Sequence, residues 1–141
     1  MKIRRIELKD IEQSYELLNE LYENEIIYDV FVDKYNNNLQ DENFYGILAE
    51  ENGIVVGILI SRIVNRLVKT NNILFVDDLI VNKDYRSKGI GNLLLQNAIN
   101  YAKEKKCETI ELKSYISNEK SHKFYEKIGL KKQHYSFKKI L

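Results

Sequence analysis

The spacing of apolar side chains changes period several times along the chain, and each change marks an element. Residues 2–8 read as a short first strand. Asp10 then stands as an N-cap with Gln13 in capping-box position, and Ile11, Tyr15, Leu18 and Leu21/Tyr22 follow at helical spacing. In 25–40, Ile26, Ile27, Val30, Phe31 and Tyr35 point to a second helix ending in the run Asn36-Asn37-Asn38. From there the period shortens. Apolar and β-branched segments at 43–50 and 54–64 flank Asn52-Gly53, the strongest short hairpin signal. A further strand runs over about 72–81. The helical period returns from Gly89 to Lys105, with Ile90, Leu94, Ala98 and Tyr101/Ala102 on one face. A strand over 108–115, a short helix over 118–128 stopped by Gly129, and a strand over 130–140 complete the pattern. The predicted order is β-α-α-β-β-β-α-β-α-β, an α/β fold without an internal repeat, a linker or a proline.

One junction carries chemistry. Leu79-Ile80-Val81 runs into Arg86-Ser87-Lys88-Gly89-Ile90-Gly91, where the long helix opens. The first N–H groups of a helix lack internal partners, and the helix dipole puts partial positive charge there. Gly89 and Gly91 remove side chains where a phosphate must approach the backbone, and Arg86 and Lys88 add full charge. This combination points to a pyrophosphate-bearing cofactor. A dinucleotide fingerprint needs a further glycine where Leu94 stands, and a nucleotide-triphosphate loop needs Gly-Lys followed by Ser or Thr, whereas Lys88 precedes Gly89.

The hexapeptide resembles the Arg/Gln-x-x-Gly-x-Gly/Ala motif with which the GNAT superfamily of N-acetyltransferases grips acetyl-coenzyme A. Asp78-Leu79-Ile80-Val81 resembles that family's acidic-hydrophobic strand. Phe124-Tyr125-Glu126-Lys127-Ile128-Gly129-Leu130, with Asn118 seven residues before Tyr125, is similar to its tyrosine-glutamate-lysine-x-glycine signature. Ser121 and Leu130 depart mildly, standing where alanine and phenylalanine are usual. The match is close over residues 72–132 and elsewhere rests on element order. It implies a mixed central sheet with helices on both faces, and a single N-acetyltransferase domain over 1–141.

Composition narrows the setting. A chain of 141 residues can bury a sizeable core without staples. Charged residues make up 30% of it, yet the net charge is +1, so no overall field draws it to nucleic acid or a membrane. The lone Cys107 excludes an internal disulfide and fits a reducing compartment. Met1-Lys2-Ile3-Arg4-Arg5 leads into no signal-peptide core, and no apolar run reaches the length of a membrane span. The cytoplasm is the expected location. No His/Cys cluster has metal-ligand spacing, so no metal is expected.

Moving an acetyl group from a thioester to an amine makes three demands. An alkylammonium with a pKa of about 10 must lose its proton before it can attack. The developing oxyanion needs donors, each worth about 3 kcal/mol. The departing thiolate needs a proton. By the resemblance, Tyr125 protonates the thiolate, and Asn118 contacts the pantetheine arm or phosphates, a role compatible with a helix N-cap. The backbone of Leu79, Ile80 and Val81 would pair with the pantetheine amides, and Arg86, Ser87, Lys88, Gly89, Ile90, Gly91 and Asn92 would hold the pyrophosphate. Asp78 aligns with the family's acidic position and is the candidate base, directly or through water. Adjacent strand residues point to opposite faces, so Asp77 qualifies only if the strand bulges. Solvated or salt-bridged carboxylates, or ammonium recognition without proton transfer, are equal readings of this pair. His122 and His134 match no family position and read as surface residues, and Cys107 as core. The Lys/Tyr-rich tail from Lys131 to Lys139 reads as a strand with alternating charge.

The acceptor is the least legible part. Glu20, Glu23, Glu25, Asp29 and Asp33, interleaved with Tyr22 and Tyr28, favour a cationic small amine or a peptide or protein amine, with surface solvation as the alternative. Two other classes stay open: a catalytically inactive coenzyme A-binding sensor on the same fold, and a nucleotide-phosphate module. A homodimer is compatible with the sequence.

Overall fold

In the computed structural model, which describes residues 1–141, β1 (Lys2–Arg5) is followed by α1 (Ile11–Leu21) and α2 (Tyr28–Leu39). Then come β2 (Phe44–Glu51), β3 (Ile54–Val64), β4 (Ile73–Val81), α3 (Ile90–Glu104), β5 (Thr109–Leu112) and α4 (Glu119–Ile128). The strands form one sheet in the order β1-β2-β3-β4-β5, and β1 to β4 pair antiparallel in sequence. Asn52 and Gly53 both take positive φ, 53° and 79°, as a two-residue hairpin turn matched to strand twist requires. At the other end, the Glu108 N–H donates to the Asn72 carbonyl at 2.9 Å, joining the starts of β5 and β4 after the α3 crossover. The two strands therefore run the same way, and the sheet is mixed.

Two irregularities shape it. The ladder between β2 and β3 pairs Ala49 with Gly57 but Glu50 with Val55, so Val56 is the extra residue. The ladder between β3 and β4 pairs Ile60 with Asp78 but Ser61 with Val76, so Asp77 is extra. Each is a β-bulge, which locally cancels the strict alternation of faces.

The chain falls into two compact units, Met1–Glu111 and Leu112–Leu141. In the first, Leu17 and Leu18 of α1 and Tyr35 of α2 pack with Leu48, Ile58 and Ile80 of the sheet. A side chain at Gly57 would meet Leu94 and Ile90 at 3.0 and 3.1 Å, so glycine there lets α3 lie close on β3. Leu94, Leu95 and Ala98 are fully buried along α3. Truncating Leu94 would cost about 2–5 kcal/mol.

Two local expectations need correcting. Asp10 does not cap α1 with its side chain. It is 3% exposed and accepts both guanidinium nitrogens of Arg4 at 2.8 Å and the Glu7 N–H at 2.8 Å. Arg4 holds its carboxyl below the usual carboxylate range. Gln13, freed from a capping box, accepts the Val55 N–H at 2.9 Å and so ties α1 to β3. The buried stripe of α1 is Ser14, Leu17 and Leu18, and Leu21 and Tyr22 are exposed. The second helix ends at the asparagine run as expected, α2 closing at Leu39, with Asn36 and Asn38 donating to the carbonyls four residues back at 3.1 and 2.8 Å.

In the second unit, Asn118 is the N-cap of α4, its side chain accepting the Ser121 N–H at 3.3 Å. Gly129, at φ 106°, ends the helix in a Schellman pair: Leu130 N–H to Tyr125 carbonyl and Gly129 N–H to Glu126 carbonyl, both at 3.0 Å. The strand expected over 130–140 is absent, and residues past Ile128 form neither strand nor helix. Tyr135, Phe137 and Ile140 are exposed, so the alternation that predicted a strand meets no ladder and no burial to hold it. The β5 strand is likewise shorter than the 108–115 expected. No helix is long and apolar enough to cross a membrane.

Candidate functional site

The bulge at Asp77 does what regular strand geometry forbids. Asp77 and Asp78, adjacent in sequence, both line one groove of about 470 Å3 walled by α2, the segment before it, and the strands β3 and β4. Regular alternation would have sent one carboxylate to the opposite face. Within the groove the two diverge. Asp77 accepts the Arg62 Nε–H at 2.7 Å, and the next donor of Arg62 reaches the Asn38 side-chain oxygen at 3.4 Å. Asp78 instead accepts the hydroxyl of Tyr22, at the end of α1. Asp78 is half-buried, and that burial raises its pKa. The Asp77 charge adds to the rise, whereas the Tyr22 hydrogen bond and Arg62 oppose it.

The aromatic support of this groove comes from α1 and α2. The Tyr15 hydroxyl donates to the Ile26 carbonyl at 2.9 Å, and its ring meets Tyr28 edge-on at 5.0 Å and Phe31 at 5.4 Å. Tyr28 donates to Glu12, which fixes the start of α2 against α1. Of the five acidic residues expected to define the acceptor region, Glu25 lines the groove; Glu20, Glu23, Asp29 and Asp33 do not. Lys34, Asn38 and Arg62 were not anticipated as site residues. Lys34 and Asn38 stand four apart on α2, a polar pair that the search for apolar periodicity passes over.

The Arg86–Gly91 turn stands apart from this groove, at the start of α3. Ser87 and Gly89 both take positive φ, 63° and 80°, and Gly89 is the N-cap. No side chain caps the helix and its first turn holds no acidic residue. The Leu93 N–H closes on the Gly89 carbonyl at 3.0 Å, leaving the N–H groups of Ile90, Gly91 and Asn92 without helical partners. A Cβ built at Gly89 would meet nothing within 4 Å, so the approach is open. Arg86 Nε donates to the Val81 carbonyl at 3.2 Å, and the Lys88 ammonium lies 5.1 Å from the Tyr85 ring centre. Free donors, two cations and open space fit a pyrophosphate. Beside it, Val81, Ile80 and Leu79 pair with Gly57, Ile58 and Leu59 on one side. On the other side β5 begins level with β4 and has four residues against nine. The Leu79–Val81 stretch therefore extends past its end.

In the second unit, burial raises the pKa of Tyr125, whose ring lies 5.4 Å from that of Phe124. Its hydroxyl is therefore protonated at neutral pH. The His122 ring nitrogen is engaged by the Tyr115 carbonyl at 2.8 Å.

With this geometry in view, comparison with known proteins is informative. The acetyltransferase (GNAT) family profile matches residues 8–130. Aminoalkylphosphonate N-acetyltransferase of Salmonella typhimurium is 34% identical over 140 residues, covering 99% of this chain and 91% of that protein. Among solved structures, a transcriptional regulator from Bacillus halodurans superposes with a TM-score of 0.93 at 25% identity, covering 99% of each chain. An aminoglycoside N-acetyltransferase in complex with CoA superposes at 0.89 and 16% identity, covering 99% of this chain and 93% of that one, a likeness of fold. The sheet, the α3 turn and the whole-length relative agree: the chain belongs to the GNAT family of acetyl-CoA-dependent N-acetyltransferases.

Proposed function

We propose that this enzyme, as one domain over residues 1–141, acetylates a small aliphatic amine that also carries an anionic group, and that the amine is received at Asp78. The observation that carries this reading is the groove in which Asp78 lies beside cationic and amide side chains. A lining of both signs suits a zwitterion better than a polycation. The acceptor class in the name of the Salmonella relative, the aminoalkylphosphonates, has that chemistry.

Bound acetyl-CoA supplies the activated acetyl group as a thioester. The N–H groups of Ile90, Gly91 and Asn92, with Ser87, Gly89, Arg86 and Lys88, would hold its pyrophosphate. The backbone of Leu79, Ile80 and Val81 would pair with the pantetheine amides as an added strand, and Asn118 would contact the same arm. Asp78 attracts the ammonium and, through water, accepts its proton. Its raised pKa narrows the gap to the amine, as a base working near neutral pH requires. Tyr125 keeps a proton on Oη for the departing sulfur. The solitary thiol of Cys107 supports a cytoplasmic home.

The test is an acceptor screen that reads thiol release from acetyl-CoA, with coenzyme A binding measured in parallel by calorimetry. Turnover with amines that bear an anion is the expected result. Coenzyme A binding without turnover on any amine would reject the reading and favour a sensor on the same fold.

A further inference from the structure

Carboxylates and cations line the groove together: Glu25, Asp77 and Asp78 with Lys34 and Arg62. Asp78 accepts the Tyr22 hydroxyl, and the Tyr22 carbonyl accepts the Glu25 N–H at 3.1 Å. Arg62 touches Asn38, and Asn38 lies one turn from Lys34 on α2; the Asn38 side chain donates to the Lys34 carbonyl at 2.8 Å. Val30 and Ile60 line the groove with them. Arg62 is neutralised by Asp77 at 2.7 Å, whereas no acidic side chain lies within ion-pair distance of Lys34. Lys34 is thus the cation of this groove left without a carboxylate partner, in the same groove as Asp78.

Resting on the acetyltransferase reading above, we infer that Lys34 is a specificity-determining residue: its ammonium receives the acceptor's anionic group while the amine lies at Asp78. Asn38 adds an amide donor beside it. Arg62, held by Asp77 and Asn38, is a positioning residue that keeps Asp77 from cancelling Lys34. An ammonium is a compact point charge that tolerates several anion geometries. Lys34 therefore selects for charge, and a cation at the same end of the acceptor is repelled.

Three acceptors with the same amine arm separate charge from size: aminoethylphosphonate, ethanolamine and ethylenediamine. In the wild type, kcat/KM should fall in that order. Lys34→Gln should raise the KM for aminoethylphosphonate about tenfold or more, leave kcat within about twofold, and leave the ethanolamine KM unchanged. Lys34→Arg should restore most of the loss, which a merely structural defect would not allow. Equal KM changes for all three acceptors, or none for the phosphonate, would overturn the assignment while leaving the acetyltransferase reading intact. If no amine turns over, that reading fails on its own. Calorimetric binding of aminoethylphosphonate to the coenzyme A-loaded wild type and Lys34→Gln proteins then decides the role of Lys34: equal affinities reject it.

Discussion

The hydroxyl of Tyr22 donates a hydrogen bond to Asp78, joining the end of the first helix to a strand 56 residues further along the chain. The bond favours the charged carboxylate and opposes the rise in pKa that burial imposes on Asp78. Tyr22 is thereby a positioning residue for the proposed amine site. Replacing it with phenylalanine should let the Asp78 pKa rise further. If Asp78 accepts the amine's proton, the acidic limb of kcat/KM against pH should move to higher pH in Tyr22→Phe, with a several-fold loss at pH values on that limb. A limb that stays in place would show that this bond does not tune the reaction.

Burial of Asp78 also has a stability consequence whose sign is fixed. Its folded-state pKa lies above the ordinary value of 3.8, so the folded protein holds this proton more tightly than the unfolded chain. The stability this contributes is fully present below the unfolded pKa and is lost as pH rises through the folded one. At neutral pH the charged Asp78 is a cost. Asp78→Asn should therefore raise Tm at pH 7, by about 3–5 °C for each kcal/mol of relieved cost at this size. The advantage over wild type should shrink as pH falls toward the ordinary carboxylate range. Turnover should drop in the same variant, so a gain in stability with a loss of activity is the expected signature. Thermal melts across pH, paired with initial rates, check both halves; an unchanged or lower Tm at pH 7 would contradict the account of burial.

The parts of this molecule that sequence made legible are those governed by local chemistry. Asn52-Gly53 demanded positive φ at both residues and obtained it. The basic turn before α3 was visible because glycines and cations crowd a helix start. What was hidden depends on partners remote in sequence. The bulge that turns Asp77 into the groove exists only in the pairing of β4 with β3. Asp10 looked like a cap because the guanidinium that claims it arrives from β1. Lys34 belongs to no motif and Asn38 only to the run that ends α2, and the Arg62 that meets the Asn38 amide oxygen comes from β3. The tail shows the converse error: Tyr135 and Phe137 alternate as a strand should, but alternation without a paired neighbour leaves them exposed.

The pyrophosphate cradle is tested at Gly89. Its φ of 80° and the open space around it separate two effects that one substitution would blur. Gly89→Ala brings strain alone, about 1 kcal/mol of stability, and coenzyme A affinity should fall by less than about tenfold. Gly89→Asp adds a carboxylate where phosphate would lie, and the loss of affinity should be about a hundredfold or more. Gly53→Ala, at a comparable φ of 79° in the hairpin turn, is the control for strain and should leave coenzyme A binding unchanged. Calorimetry on the three variants suffices, and equal affinities for Gly89→Asp and wild type would reject this placement.

Tyr125 is the remaining proposed chemical group. Burial raises its pKa, which keeps the phenol protonated across the neutral range and so available as a general acid. It also leaves the group unsuited to act as a base there. Tyr125→Phe removes the proton and little else, because the ring and its packing against Phe124 are retained. Turnover should fall about a hundredfold while coenzyme A affinity changes by less than about threefold. Product release can limit steady-state turnover and mask the effect, so the decisive measurement is a single turnover with enzyme in excess over acetyl-CoA. The alkaline limb supplies a second readout: in the wild type it should reflect loss of the Tyr125 proton, and in the variant it should move or vanish. An unchanged single-turnover rate would mean that water, and not Tyr125, protonates the departing thiolate.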